Sequence, residues 1–276
     1  MGSDETDTAA GVDRRLLAKL LAGGVLAGVS ASPTAAQAPP RGPPAPPEKP
    51  ATVSILIHPG MVMLDLVGPL TVFQIMQADV QLVWKDRSPV MTDTRIPVTP
   101  THDFRDARIG SDLFLIPGGT MGSVACMRDE AVLAHVRAQG DAARYVTSVC
   151  TGSLVLAAAG LLKGYRATSL WAVADALPMM GATHVNERIV VDRNRITAGG
   201  VTAGIDFGLM LAARLSDERT AKRIQLTLEY SPQPPFKAGT PEEAGAELTA
   251  FTKSRRKGMD AEVAAAAREA GKRLGV

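Results

Sequence analysis

Cysteine is scarce in this chain, with only Cys126 and Cys150 among 276 residues. Two thiols exclude a disulfide framework and a cysteine-built zinc site. Aromatic residues make up only 4%, and no basic stripe is interleaved with them, which argues against a nucleic-acid partner. Neither sign of charge dominates: 30 Lys and Arg against 28 Asp and Glu leave a formal charge of +2. The Arg255-Arg256-Lys257 cluster reads as a solvated face. Long apolar runs are missing too. The mildly apolar stretch 20–29 is interrupted by Gly23, Gly24 and Gly28 and falls short of the ~20 residues that span a bilayer.

The N-terminal fifth has the layout of a targeting segment. Arg14-Arg15 precedes the apolar run, and Ala36-Gln37-Ala38 supplies small residues for cleavage. Residues 1–38 therefore read as a twin-arginine export signal, with no stable membrane span after processing. The expected location is periplasmic or exported, and cytoplasmic where the signal is not used. Residues 39–51 are proline-rich and read as an extended linker. A folded domain is expected over 52–253, followed by a charged helical or disordered tail over 254–276.

Within that domain, short β-branched runs alternate with helical patterns. Strands are expected at 53–57, 80–84, 113–116 and 145–149, and helices at 66–77, 130–143 and 151–162. A hairpin over 188–197, turning at 192–194, and two helices over 202–215 and 217–229 complete the pattern. Apolar strands separated by helices imply an α/β fold with a mostly parallel sheet between helical layers. Ligands bind such sheets at the carboxyl ends of their strands. Asp65, Gly118-Gly119 and Cys150 all fall there.

Cys150 stands where strand 145–149 stops and a helix begins. Unpaired N–H groups at a helix start favour a thiolate, so a lowered pKa is expected for this thiol. A disulfide to Cys126 would consume it, and Cys126 reads instead as a small apolar side chain. Asp65 either caps the helix that follows it or turns its carboxyl toward the thiol, where the two would share a proton. Gly118 and Gly119 form either an ordinary turn or a pair of amides that bind developing negative charge. Thr151 and Ser153 cap the helix, and the Thr151 hydroxyl could also hold a water or substrate. His58 sits at a strand end, and His102, His135 and His184 look like loop or surface residues. None has a spacing that marks it as a base for Cys150.

Thr147-Ser148-Val149-Cys150-Thr151-Gly152-Ser153-Leu154-Val155-Leu156, followed by 159–164 (AGLLKG), resembles the nucleophile-elbow region of the PfpI/ThiJ superfamily. Leu64-Asp65-Leu66-Val67-Gly68-Pro69, Ile116-Pro117-Gly118-Gly119, Glu187-Arg188, the stretch 197–207 (TAGGVTAGIDF) and the stretch 229–236 (EYSPQPPF) narrow the match. It is similar to the isonitrile hydratase (isocyanide hydratase) family. The resemblance covers residues 53–239. It implies the class I glutamine amidotransferase-like fold, a flavodoxin-like three-layer sandwich with a nucleophile elbow. It also implies a homodimer in which Cys150 is the nucleophile and Asp65 and Thr151 are its partners. The reaction would be hydration of an organic isonitrile to an N-substituted formamide, with no metal or organic cofactor. The expected covalent intermediate is a thioimidate on Cys150.

Two departures stand out. Relatives commonly carry His before Trp in the segment after the elbow helix, whereas here Leu170 precedes Trp171. That weakens peptidase and glyoxalase-like readings and alters a pocket wall. The export signal is the second departure. The rival readings are a ligand- or redox-sensing domain that keeps the thiol without catalysis, and a deglycase, glyoxalase or amidase acting at the same cysteine.

Overall fold

The computed structural model describes residues 49–276. The expected export signal, and the linker up to residue 48, lie outside the described residues. In chain order the elements are β1 (Thr52–Leu56), α1 (Met63–Ile75), β2 (Asp79–Trp84), β3 (Val90–Met91), β4 (Pro97–Val98), β5 (His102–Asp103) and β6 (Leu113–Ile116). They continue with α2 (Thr120–Arg128), α3 (Glu130–Ala142), β7 (Tyr145–Val149), α4 (Gly152–Ala158), β8 (Arg166–Ala167) and β9 (Thr183–His184). The chain closes with β10 (Ile189–Asp192), β11 (Arg195–Ala198), α5 (Ala203–Leu215), α6 (Glu218–Thr227) and α7 (Pro241–Leu274).

Seven strands form one sheet in the order β10-β11-β7-β6-β1-β2-β5, parallel throughout except for the β10–β11 hairpin. Both faces are covered, and the central strands β1, β6 and β7 are buried at nearly every position, including the polar Ser54, Thr147 and Ser148. Side chains of a strand alternate between faces. Val53, Ile55, Leu113, Leu115 and Val149 join one core with Phe73 of α1 and Phe207 and Leu211 of α5. Leu56, Phe114, Ile116 and Val146 join the opposite core with residues of α2, α3, α4 and α7. This is the expected three-layer α/β sandwich.

The helices α1 and α5 cross closely because small residues meet at the contact. A Cβ added to Gly204 would lie 3.3 Å from Pro69 Cδ, and one added to Gly68 would lie 3.5 Å from Ile205 Cγ1. The motifs around Gly68-Pro69 and Gly204-Ile205 therefore serve this crossing.

The segment 254–276, expected as a charged helical or disordered tail, is helical and packs into the core. It is the end of α7, which is broken at Gly245 (φ +80°) and then runs on to Leu274. Its Lys, Arg and Glu residues conceal an inward stripe of Val263, Ala266, Ala267 and Ala270, all buried in the core. That spacing of three and four residues follows one helix face. Arg128 of α2 pairs with Glu262 and Glu269 across the contact. The helix thus completes a layer, and it belongs to the same compact unit as the sheet. The helix α2 was not expected either.

Candidate active site

The elbow is built by β7, α4 and the ends of β6 and β11. Cys150 sits between β7 and α4 with φ +55°, a left-handed conformation that costs a non-glycine residue roughly 1–3 kcal/mol. Surrounding hydrogen bonds hold it there. The Cys150 amide donates to the carbonyls of Ala198 and Gly199, at 3.0 and 2.7 Å. Its carbonyl accepts the hydroxyls of Ser153 and Ser169, each at 3.1 Å. The Gly199 turn is itself pinned. Its amide donates to Arg188 O at 2.9 Å, and Arg188 binds Asp206 at 2.6 Å and the Thr202 carbonyl at 2.9 Å.

Asp65 is not the cap of α1. The helix begins two residues earlier, with Val62 at the cap position and no side-chain capping bond. The carboxyl is instead fully buried, and its Oδ2 accepts the Gly118 amide at 2.9 Å. Its Oδ1 is buried without a hydrogen-bond partner, and the Cys150 thiol lies beside this carboxyl. Burial, and to a lesser extent the charge of Asp93, push Asp65 up to about 7, while the Gly118 amide and the thiol pull against that rise.

The thiol likewise departs from the sequence reading. Burial, then the neighbouring Asp65, push Cys150 well above the usual thiol range, against the Thr151 amide and the charge of Arg256. The helix start favours thiolate as expected, but desolvation outweighs it. Removing water from a thiolate costs more than one turn of amides returns. Burial therefore favours a protonated thiol beside a carboxyl that also holds its proton more tightly.

The glycine turn also acts differently from expectation. Neither amide is free to bind developing negative charge, since Gly118 N–H serves Asp65 and Gly119 N–H donates to Thr151 Oγ1 at 2.9 Å. The turn positions the two partners of the cysteine. Glycine is required at both places. A Cβ on Gly118 would lie 2.7 Å from Cys150 Cβ and 2.8 Å from Asp65 Oδ2. Gly119 adopts φ +141°, and a Cβ there would lie 2.3 Å from Gly60 O.

Thr151 stands at the cap position of α4, yet its hydroxyl caps nothing. It meets Gly119 N–H and, at 2.9 Å, the Ser123 hydroxyl. Ser153 points back to the Cys150 carbonyl. The structure thus brings Asp65, Gly118, Gly119, Cys150 and Thr151 together. It adds Ser123 and Ser169, which the sequence reading passed over because each acts through a contact more than fifteen residues away.

No histidine is among the groups that bear on the thiol. His58 is buried with its ring nitrogens 3.1 Å from Pro59 O and 3.2 Å from Pro117 O, and burial lowers its pKa. His135 of α3 is not on the surface: it stacks on Phe104, and burial pushes its pKa down to about 4. Leu170 packs against both cores, with Cδ1 3.9 Å from a Cβ placed on Gly200. Cys126 and Cys150 are both free and buried, and burial pushes the Cys126 thiol up to about 12. Among the described residues no cluster of His, Cys, Asp or Glu could hold a metal, and no helix is long and apolar enough to cross a membrane.

Two surface hollows lie outside the buried elbow. One is lined by Pro59, Trp84, Cys126 and Asp129. The other lies between Trp171 and the first turns of α7, at Pro241, Leu248 and Thr252. Trp171 follows Leu170 and Ser169, and Ser169 touches the elbow carbonyl.

The elbow and its fold match known proteins. The pattern of the DJ-1/PfpI family matches residues 51–214. The chain belongs to the DJ-1/PfpI family. The isonitrile hydratase of Pseudomonas putida is 49% identical over 193 residues, covering 70% of this chain and 84% of that enzyme. A THiJ/PfpI family protein from Pseudomonas syringae shares the fold with a TM-score of 0.78 and 39% identity, covering 84% of this chain and 98% of its own. A DJ-1 superfamily protein from Salmonella typhimurium is 26% identical with a TM-score of 0.60, over 66% of this chain and all of its own. The resemblance drawn from the elbow and its flanking motifs is thereby borne out, as is the fold it implied.

Proposed function

We propose that this DJ-1/PfpI protein is a hydro-lyase that hydrates an organic isonitrile to an N-substituted formamide, with Cys150 as nucleophile. The observation that carries this reading is the buried carboxyl–thiol pair. Its support from outside the chain is the 49% identity to an isonitrile hydratase. Isonitrile hydration places both a proton and an oxygen on one carbon. A site for it needs a nucleophile and an acid at the same point, and needs them dry until the carbon has been trapped.

The Asp65–Cys150 pair meets that need with a single proton. With the proton on Asp65, the thiolate adds to the terminal isonitrile carbon, forming the C–S bond. The lone pair left on that carbon takes the proton from Asp65, giving a neutral thioimidate, Cys150–S–CH=N–R, and an aspartate. A water then adds across C=N. Asp65 accepts one of its protons as the oxygen bonds to carbon, and passes it to the imine nitrogen. The resulting Cys150–S–CH(OH)–NH–R collapses to the formamide. The hydroxyl proton returns to Asp65 and the C–S electron pair returns to sulfur. The sum is one isonitrile and one water giving one formamide, with the pair restored. Thr151 contributes its amide to the sulfur. Gly118 and Gly119 act by aiming Asp65 and Thr151.

The apolar Leu170 beside Gly200 offers no imidazole, which favours this proton economy over a Cys–His hydrolase. The sensor reading asks for an accessible thiol of low pKa, and Cys150 is 3% exposed. The test is incubation with p-nitrophenyl isocyanide and detection of the formamide by mass spectrometry. Wild type should turn over. Cys150→Ala should fall to background, and turnover by that variant at the wild-type rate would remove the covalent route. The same reading includes a homodimer, checked by sedimentation equilibrium, and export through the twin-arginine segment, checked by the mass of the mature N-terminus.

A further inference from the structure

Arg256 lies in the charged cluster that reads as a solvated face, yet α7 turns it inward. Its side chain is 19% exposed, whereas Arg255 and Lys257 on either side are exposed. Nη2 lies 3.3 Å from Thr120 Oγ1, and Thr120 directly follows the Gly118-Gly119 turn. Nη2 also lies 3.0 Å from Asp260 Oδ1, one helical turn on. The guanidinium Nε is buried without an acceptor. Burying such a donor costs on the order of 1–3 kcal/mol unless something compensates.

Position along α7 strengthens the case. Leu248, Thr252 and Arg256 are spaced by four residues and so share one helix face. The first two line the hollow against Trp171, which leads the same face on to the glycine turn. The buried stripe from Val263 to Ala270 anchors this helix in the core, so the guanidinium is held rather than left to wander.

We propose that Arg256 is a positioning residue of the Cys150 site, a guanidinium delivered by the C-terminal helix to hold negative charge on the sulfur from beside the glycine turn. The charged groups that bear on the thiol are Asp65 from α1 and Arg256 from α7. Asp93 bears on Asp65, and Asp260 pairs with Arg256. Thr151 meets the sulfur as an amide, and Ser153 and Ser169 face the Cys150 carbonyl as neutral hydroxyls. Among the described residues Arg256 is the cation that bears on the thiol, and it offsets part of the effect of Asp65. This role rests on the reading of Cys150 as a nucleophile, and it is tested without isonitrile.

The experiment is the pH dependence of Cys150 alkylation by iodoacetamide in the full-length protein, followed by peptide mass mapping that separates Cys150 from Cys126. Arg256→Met should move the midpoint up by about one pH unit and slow alkylation at pH 7 about tenfold. Arg256→Lys should recover most of that loss. Asp260→Asn frees the guanidinium from its partner and should move the midpoint the other way. If Arg256→Met lowers the melting temperature but leaves the midpoint in place, the inference is overturned. If Arg256→Met does not fold, an unmoved or raised midpoint in Asp260→Asn overturns it equally. Shifted midpoints without any formamide production would sink the isonitrile reading alone and leave this one standing.

Discussion

Cys150 and Asp65 are each costly where they stand, and their costs are linked. A left-handed backbone holds the sulfur at the elbow, and burial raises the proton affinity of both sulfur and carboxyl. The raised affinity has a consequence for stability. Folded Asp65 titrates near 7, while an unfolded aspartate titrates near 4. The native state therefore binds more protons than the unfolded state between those values. Stability from this group is full below about pH 4 and declines as pH rises toward 7, by at most about 1.4 kcal/mol per pH unit. Asp65→Asn should flatten that decline in urea denaturation measured from pH 4 to 8, and should also remove formamide production. A decline that persists unchanged in the variant would assign the effect to another group.

At the scale of elements, the glycine turn after β6 is the part most sensitive to a single atom. It carries Asp65 on one amide and Thr151 on the next, and its Gly118 Cα approaches Cys150 too closely for any side chain. Gly118→Ala should leave the sheet intact while displacing the carboxyl from the thiol. A displacement near 1 Å is worth roughly 100-fold in rate. The expected result is a native-like circular dichroism spectrum with activity lowered about 100-fold. Full activity in this variant would show that the turn is not what aims the site. The turn was legible in the sequence as Pro117-Gly118-Gly119-Thr120, but its task was not. A glycine pair reads alike whether its amides meet a ligand or its own neighbours, and only the distances to Asp65 and Thr151 separate the two.

Across the described residues, a smaller cluster of Val72, Ala212, Ala221 and Ile224 lies among α1, α5 and α6, and the sheet divides two large cores that share residues. Trp84 and Leu170 pack against both. The helix α7 closes one of them with Val263, Ala266, Ala267 and Ala270. Unfolding should therefore be cooperative despite the size of the chain. Ala267→Asp buries a carboxylate with no partner and should cost more than about 3 kcal/mol. Tryptophan fluorescence and far-ultraviolet circular dichroism in urea should shift together to a lower midpoint. A separate early transition confined to one probe would instead mark α7 as an independent appendage.

The central strands, the elbow and the α/β class were determined by the sequence itself. A continuous apolar strand such as 113–116 is stable only when both faces are covered, and a cysteine at a strand-to-helix junction follows from local pattern. The short strands at the sheet's margin, α2 and the docking of α7 were not legible. Their patterns are weak or masked by surface charge, and partners far along the chain stabilise them. Tertiary structure alone decided the chemistry of the site. Of the two roles open to Asp65 it selected the thiol's neighbour over the cap, and it occupied both glycine amides. It also raised the thiol's pKa where the helix start predicts a fall. The physical reason is common to all three. Desolvation and hydrogen-bond partnership depend on which distant atoms exclude water from a group, and local sequence does not encode that.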